Sequence, residues 1–239
     1  MRIIIVAVLI ALFAVLSIIL LPSIWLISKI NEKTAQKMSQ RIVAFIFNCI
    51  LFLSGVKKDV IGIERIPKDR SVLYAMNHRG FFDVILALAT VPGLAAFVSK
   101  KEIAKVPGLR LWMRNINCVF LDRENPREGI KAILKGIQNI NNGTSMFICP
   151  EGTRNTGEEL LPFKPGSLKI AEKSGCPVVP VAVTHAEKVF ENQKPWLRPY
   201  QMTIEYGEPI YVHELSKETK AELLDHTKER VEEMWRRNR

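Results

Sequence analysis

A chain of 239 residues suits one globular domain with an appendage, and an apolar share of 48% is ample for a core. A formal charge of +10 points to anionic partners, a membrane surface or a phosphorylated substrate. It argues against nucleic acid, because the basic residues border apolar runs and aromatic side chains do not interleave with them. The four cysteines (Cys49, Cys118, Cys149, Cys176) lack paired spacing or a nearby histidine, which excludes a structural zinc motif.

From Ile3 to Ser28 the sequence runs 26 residues without a charge, beyond the roughly 18–20 that favour membrane insertion. It is too long for a cleaved signal peptide, and no small-x-small site follows it. A second uncharged run, Ile42–Val56, has 15 residues and would make a helix of only about 22 Å, short of a hydrocarbon core of about 30 Å. Lys29, Lys33, Lys37 and Arg41 lie between the runs, and Lys57 and Lys58 follow the second. Two full crossings would put these clusters on opposite sides, against the positive-inside tendency. A two-helix hydrophobic hairpin over residues 1–58, dipping into one leaflet and bent at Pro22, keeps all of them on one side. One true span followed by a buried core helix is the competing arrangement. The expectation is an anchor on the cytoplasmic membrane, with residues 59–239 at its cytosolic face.

Beyond the anchor, short apolar runs alternate with helical stretches. "DVIGI" and "SVLYAM" read as strands, "FFDVILALAT" as a helix after a turn at Arg79–Gly80, and "FVSK" as a strand. A helix over 102–116, interrupted at Pro107–Gly108, precedes the strand "NCVFLD". Ile130, Ile133, Leu134, Ile137 and Ile140 form one face of a helix opened by Pro126 and closed at Asn142–Gly143. "SMFIC" is a strand, Gly166–Ser174 a short helix, "PVVPVAV" and "QMTIEY" further strands, and Ser216 onward a charged helix. This alternation predicts an α/β domain, a single mostly parallel or mixed sheet flanked by helices. Sites in such sheets gather beyond the carboxyl ends of strands.

His78 and Asp83 stand at one such strand end, five positions apart across a glycine turn. If His78 ends the strand and Asp83 opens the helix, the carboxylate can fix the imidazole tautomer while the other ring nitrogen takes a proton. Spacing alone favours the plainer alternative, with Asp83 at a helix N-terminus and His78 hydrogen-bonded in a loop. A second strand end carries Glu151, Gly152, Thr153 and Arg154. Gly152 permits close backbone approach, Arg154 offers a fork for phosphate oxygens, and Glu151 can accept hydrogen bonds from ligand hydroxyls. The interval Gly152–Gly157 imitates a P-loop, but Glu158–Glu159 stand where Lys-Ser/Thr is required. Arg123 follows another strand end and Lys100–Lys101 a fourth, so cations converge on one rim. The chain has no G-x-S-x-G elbow, no G-x-G-x-x-G and no H-E-x-x-H. A histidine base without a nucleophilic serine or cysteine suits direct attack by a substrate hydroxyl.

"NHRGFFD" (77–83), "FLDREN" (120–125), "CPEGTRN" (149–155) and "VVPVAV" (178–183) occur in that order. They resemble the four motif blocks of the glycerophosphate acyltransferase family, over roughly residues 60–210. The resemblance implies His78 as general base and Asp83 as its orienting partner. It implies Arg123, Glu151, Gly152, Thr153 and Arg154 as substrate-binding positions, with Lys100 or Lys101 assisting, and gives Pro180 a structural or acyl-lining role. Cys149 and Asn155 depart from the usual residues without touching a proposed charge. The implied reaction moves a fatty acyl group from acyl-ACP or acyl-CoA to the sn-2 hydroxyl of 1-acyl-sn-glycerol-3-phosphate at the membrane, without a metal or bound cofactor. Glycerol-3-phosphate, another lysophospholipid or a lipid-A-type molecule are alternative acceptors, and a non-enzymatic module binding anionic lipid is the alternative of a different class.

Overall fold

The computed structural model describes residues 1–122, 125–215 and 222–239. Helices α1 (Arg2–Ile30) and α2 (Glu32–Ser54) meet at Asn31, whose side chain caps α2 by accepting from Thr34 N–H at 3.0 Å. Arg2 Nη1 donates to the Leu53 carbonyl at 3.2 Å, so the pair runs antiparallel. The cap starts α2 well before its apolar run. The helix therefore has 23 residues, not 15, and spans about 34 Å at 1.5 Å per residue. Contrary to the sequence expectation, both helices are long and apolar enough to cross a membrane by length and composition. The pair also packs on the rest of the molecule. Trp112 Nε1 donates to Ser17 Oγ at 2.9 Å, and Asn48 Nδ2 to the Ala89 carbonyl at 3.2 Å.

Seven strands form one sheet: β1 (Lys57–Ile61), β2 (Leu73–Met76), β3 (Ala95–Lys100), β4 (Val119–Leu121), β5 (Ser145–Ile148), β6 (Val178–Thr184) and β7 (Gln201–Tyr206), in the order β1-β7-β6-β2-β5-β3-β4. The run β6-β2-β5-β3-β4 is parallel, β7 is antiparallel to β6, and β1 is parallel to β7. This is the mixed α/β sheet expected from the alternation. β2 and β6 are buried along their whole length because helices cover both faces, which is why they read as unbroken apolar runs. On one face Tyr74, Met76 and Phe147 join a cluster with α1, α2 and α3 (Phe81–Thr90). On the other, Leu73, Ala75 and Met146 pack with α5 (Pro126–Asn141) and α6 (Lys169–Ser174).

Several boundaries moved. β1 starts two residues before "DVIGI", and α6 covers only the second part of the predicted 166–174 helix. The 102–116 helix is a 3-10 turn, Lys101–Lys105, followed by α4 (Pro107–Asn115) with its proline in the first turn. On α5 the predicted apolar face splits: Ile130 and Leu134 are 60% and 59% exposed, while Ala132 and Ile140 are buried. The cause is Gly136, where a Cβ would lie 2.4 Å from Ile170 Cδ1. α6 packs at that glycine and draws a different stripe inward. Residues 216–221, where the last helix was predicted to begin, lie outside the described residues; beyond a short helix α7 (Ala186–Val189), the C-terminal helix α8 covers Leu223–Arg237.

α8 is tied down at buried Glu205 of β7, which accepts from Arg237 and from Asn238 at 2.6 Å, with Arg65 3.5 Å away. Burial alone would raise the Glu205 pKa; the hydrogen bonds from Arg237 and Asn238 and the charges of Arg237 and Arg65 outweigh it and hold it below the usual value. A depressed folded pKa means the stabilisation exists above the ordinary carboxylate range and disappears as pH falls through the folded value. Glu205→Gln is therefore expected to lose about 1.5–3 kcal/mol at neutral pH. The gap in melting temperature should narrow only as pH falls below the ordinary carboxylate range toward the lowered folded value, and a pH-independent gap in thermal melts would refute this.

Candidate active site

β2 is followed by Asn77, buried, whose amide donates to the Val183 carbonyl at 2.9 Å and accepts from Val183 N–H at 2.7 Å. A side chain thus continues the β2–β6 pairing past the strand and fixes where the following turn begins. His78 Nδ1 lies 2.9 Å from Asp83 Oδ2. The same oxygen accepts from the backbone N–H of Arg79 at 2.5 Å and of Gly80 at 2.8 Å. Asp83 is the third residue of α3 and fully buried, so main-chain donors and the helix dipole compensate its desolvation. The two sequence alternatives are therefore one arrangement: the carboxylate that caps the helix also holds the ring. An ionised carboxylate only accepts, so Nδ1 carries the proton and Nε2 keeps a lone pair.

Gly80 is needed at this turn because a Cβ would stand 2.3 Å from the Glu191 carboxylate, which accepts from Phe81 N–H at 2.8 Å. Burial raises the Glu191 pKa. The contacts of Asn77, Glu187 and Glu191 carried no sequence signal, since their partners lie more than a hundred residues away in the chain.

The loop after β5 closes over the same strand end. Glu151, expected to face a ligand hydroxyl, is buried and turned inward. Its carboxylate accepts from the N–H groups of His78 at 2.9 Å and Leu161 at 3.0 Å and from Asn155 Nδ2 at 3.3 Å. It braces the backbone of His78; the residue type at a strand end does not reveal which way a carboxylate points. Asn155, expected to leave the proposed charges untouched, also donates its N–H to the His78 carbonyl at 2.8 Å. Gly152 has φ +73°, a left-handed conformation that favours glycine, and the Lys164 side chain passes where a Cβ would project. Thr153 and Arg154 are exposed, and the Arg154 guanidinium sits 3.7 Å above the Phe81 ring at the start of α3.

Because β2, β5, β3 and β4 are parallel neighbours, their carboxyl ends form one edge. Lys100 closes β3 and Lys101 follows it, two strands from β2, about 10 Å at the usual strand spacing. Lys100 pairs with Glu102 at 3.8 Å and Lys101 with Asp122 at 2.5 Å. Arg123 lies outside the described residues. Pro180 is buried in β6 and its carbonyl accepts from Gly207 N–H at 2.8 Å. Among the described residues, no group of three or more His, Cys, Asp or Glu side chains is placed to hold a metal ion.

A mixed sheet with an oriented histidine at one strand end and an arginine-bearing loop at the next defines an α/β domain of the acyltransferase type. The acyltransferase family model matches residues 57–184, and the chain belongs to that family. It is 31% identical over 140 residues to the 1-acyl-sn-glycerol-3-phosphate acyltransferase of Borreliella burgdorferi, covering 59% of this chain but only 56% of that one. The corresponding Helicobacter pylori protein is 29% identical over 208 residues, covering 82% of this chain and 84% of its own. The crystal structure of the 1-acyl-sn-glycerophosphate (LPA) acyltransferase PlsC from Thermotoga maritima superimposes with a TM-score of 0.78 at 27% identity, covering 98% and 95% of the two chains.

Proposed function

We propose that the protein transfers a fatty acyl group from a thioester, acyl-ACP or acyl-CoA, to the sn-2 hydroxyl of 1-acyl-sn-glycerol-3-phosphate, giving phosphatidate. The observation that carries this reading is the 2.9 Å contact between His78 Nδ1 and the buried Asp83 carboxylate, which leaves Nε2 as the base. Nε2 takes the hydroxyl proton as the sn-2 oxygen attacks the thioester carbonyl. Collapse of the tetrahedral adduct breaks the C–S bond, and the imidazolium returns the proton to the departing thiolate. Asp83 stabilises the imidazolium between the two steps. Arg154, with Lys100 or Lys101 and Arg123, binds the phosphate, and no resident cofactor enters the reaction. The α1–α2 pair embeds in the cytoplasmic membrane and keeps the site at its cytosolic surface, so the acceptor's acyl chain stays in the bilayer.

Free thiol released from either donor only when 1-acyl-sn-glycerol-3-phosphate is present in vesicles is the expected result. Vesicle binding without thiol release would favour a lipid-binding module, and transfer to glycerol-3-phosphate alone would change the acceptor. Arg154→Ala is expected to raise KM for the phosphorylated acceptor about 10–100-fold, the worth of a charge-assisted hydrogen bond, with little change in kcat. An unchanged KM would remove Arg154 from the phosphate site.

A further inference from the structure

Arg79 lies inside the His78–Asp83 turn yet points away from it, 2% exposed. Its Nε donates to Glu187 Oε2 at 3.2 Å, and Glu187 on α7 is itself buried. Its Nη1 donates to the Gly157 carbonyl at 2.8 Å, and the guanidinium lies 5.1 Å from the Trp235 ring. Gly157 N–H donates to Asn155 Oδ1 at 2.9 Å, and Asn155 N–H donates to the His78 carbonyl at 2.8 Å. The links close a ring: His78, Arg79, Gly157, Asn155, and back to His78. Arg154 directly precedes the Asn155–Gly157 segment that this ring pins, and on its other side Glu151 accepts from His78 N–H at 2.9 Å, so the arginine sits between two holds on the His78 backbone.

A buried ion pair is a weak source of stability, since apolar side chains of similar size often replace one at no loss. What this pair supplies is position. A planar fork held by Glu187 aims a charged, directional donor from the buried guanidinium at the Gly157 carbonyl on the exposed loop. We propose that Arg79 and Glu187 are a positioning pair that sets the register between the His78 base and the loop bearing Arg154. Neither touches substrate. The pair matters only to an acceptor that must meet both groups at once, phosphate on Arg154 and hydroxyl on His78, so the inference rests on the phosphate reading of Arg154.

The test compares kcat/KM for 1-acyl-sn-glycerol-3-phosphate with that for 1-acyl-sn-glycerol, which lacks the phosphate. In Arg79→Met/Glu187→Leu, which fills the site without leaving a buried charge, transfer to the phosphorylated acceptor is expected to fall about 10–100-fold, as a displacement near 1 Å costs. Transfer to the phosphate-free acceptor should stay within about twofold. Equal losses on both acceptors, or no loss on either, would overturn the positioning role. Should the double variant fail to fold, Arg79→Lys reads the same ratio, since it keeps the charge on Glu187 but has no second fork arm for Gly157. A wild-type protein that does not prefer the phosphorylated acceptor would instead overturn the phosphate reading itself, and this inference with it.

Discussion

Replacing His78 by alanine is expected to lower acyl transfer by about 10²–10⁴-fold, the usual worth of a positioned general base. The loss should appear in kcat for both donors, because the reading has no covalent intermediate that a second nucleophile would rescue. The folded state should survive. The backbone of His78 is held by Glu151 and Asn155 without the ring, and Asp83 retains the N–H groups of Arg79 and Gly80. Circular dichroism, melting temperature and vesicle binding should therefore match the wild type. Full activity in a folded His78→Ala protein would sink the mechanism, and an unfolded one would show instead that the ring is structural.

The parts of the site visible in the sequence are those set by local chain order. A strand end, a glycine turn and a helix start bring His78 to Asp83 within six residues, so the pair was readable once the turn was recognised. The residues that hold this turn in place were not readable. Asn77 reaches Val183, Arg79 reaches Glu187 and Phe81 reaches Glu191, each across more than a hundred residues. Such contacts depend on strand order, and the sequence does not state that β6 lies beside β2. Glu151 shows a related limit. Its place after an apolar strand marked it as a site residue, but its direction, inward to the His78 backbone, follows from how the loop folds back. The helices repeat the lesson. Hydrophobic spacing located α5 but not its rotation, which one close approach at Gly136 decides. The charge-free run located α2 but not its start, which the Asn31 cap decides.

The second large effect is expected on α1. Its inward stripe is narrow, with Val6, Ser17 and Ile24 buried against the neighbouring helices. Leu9, Phe13, Leu20, Leu21 and Ile27 flank it partly buried, and most of the rest is apolar and outward: Val15 is 66% exposed and Ile19 68%. A helix that is apolar all round and covered by protein on one stripe is unstable in water and calls for hydrocarbon on the rest. Val15 and Ile19 are one turn apart on the outward face, so lysine at both leaves the packing of α1 against α2 and α4 unchanged. At mid-helix each lysine costs roughly 2.5–3.5 kcal/mol of insertion, about a hundredfold in partitioning. Val15→Lys/Ile19→Lys is therefore expected to move from the vesicle-bound to the soluble fraction. Any remaining binding, carried by Lys33, Lys37 and Arg41, should be lost in about 0.5 M salt, where such attraction is screened. Transfer to vesicle-embedded acceptor should fall with binding, whereas transfer to acceptor in detergent should persist, because the His78–Asp83 turn is untouched. A variant that still co-floats with vesicles at high salt would show that α1 is not the anchor. One that loses activity in detergent as well would show that α1 acts on the site and not on its placement at the membrane.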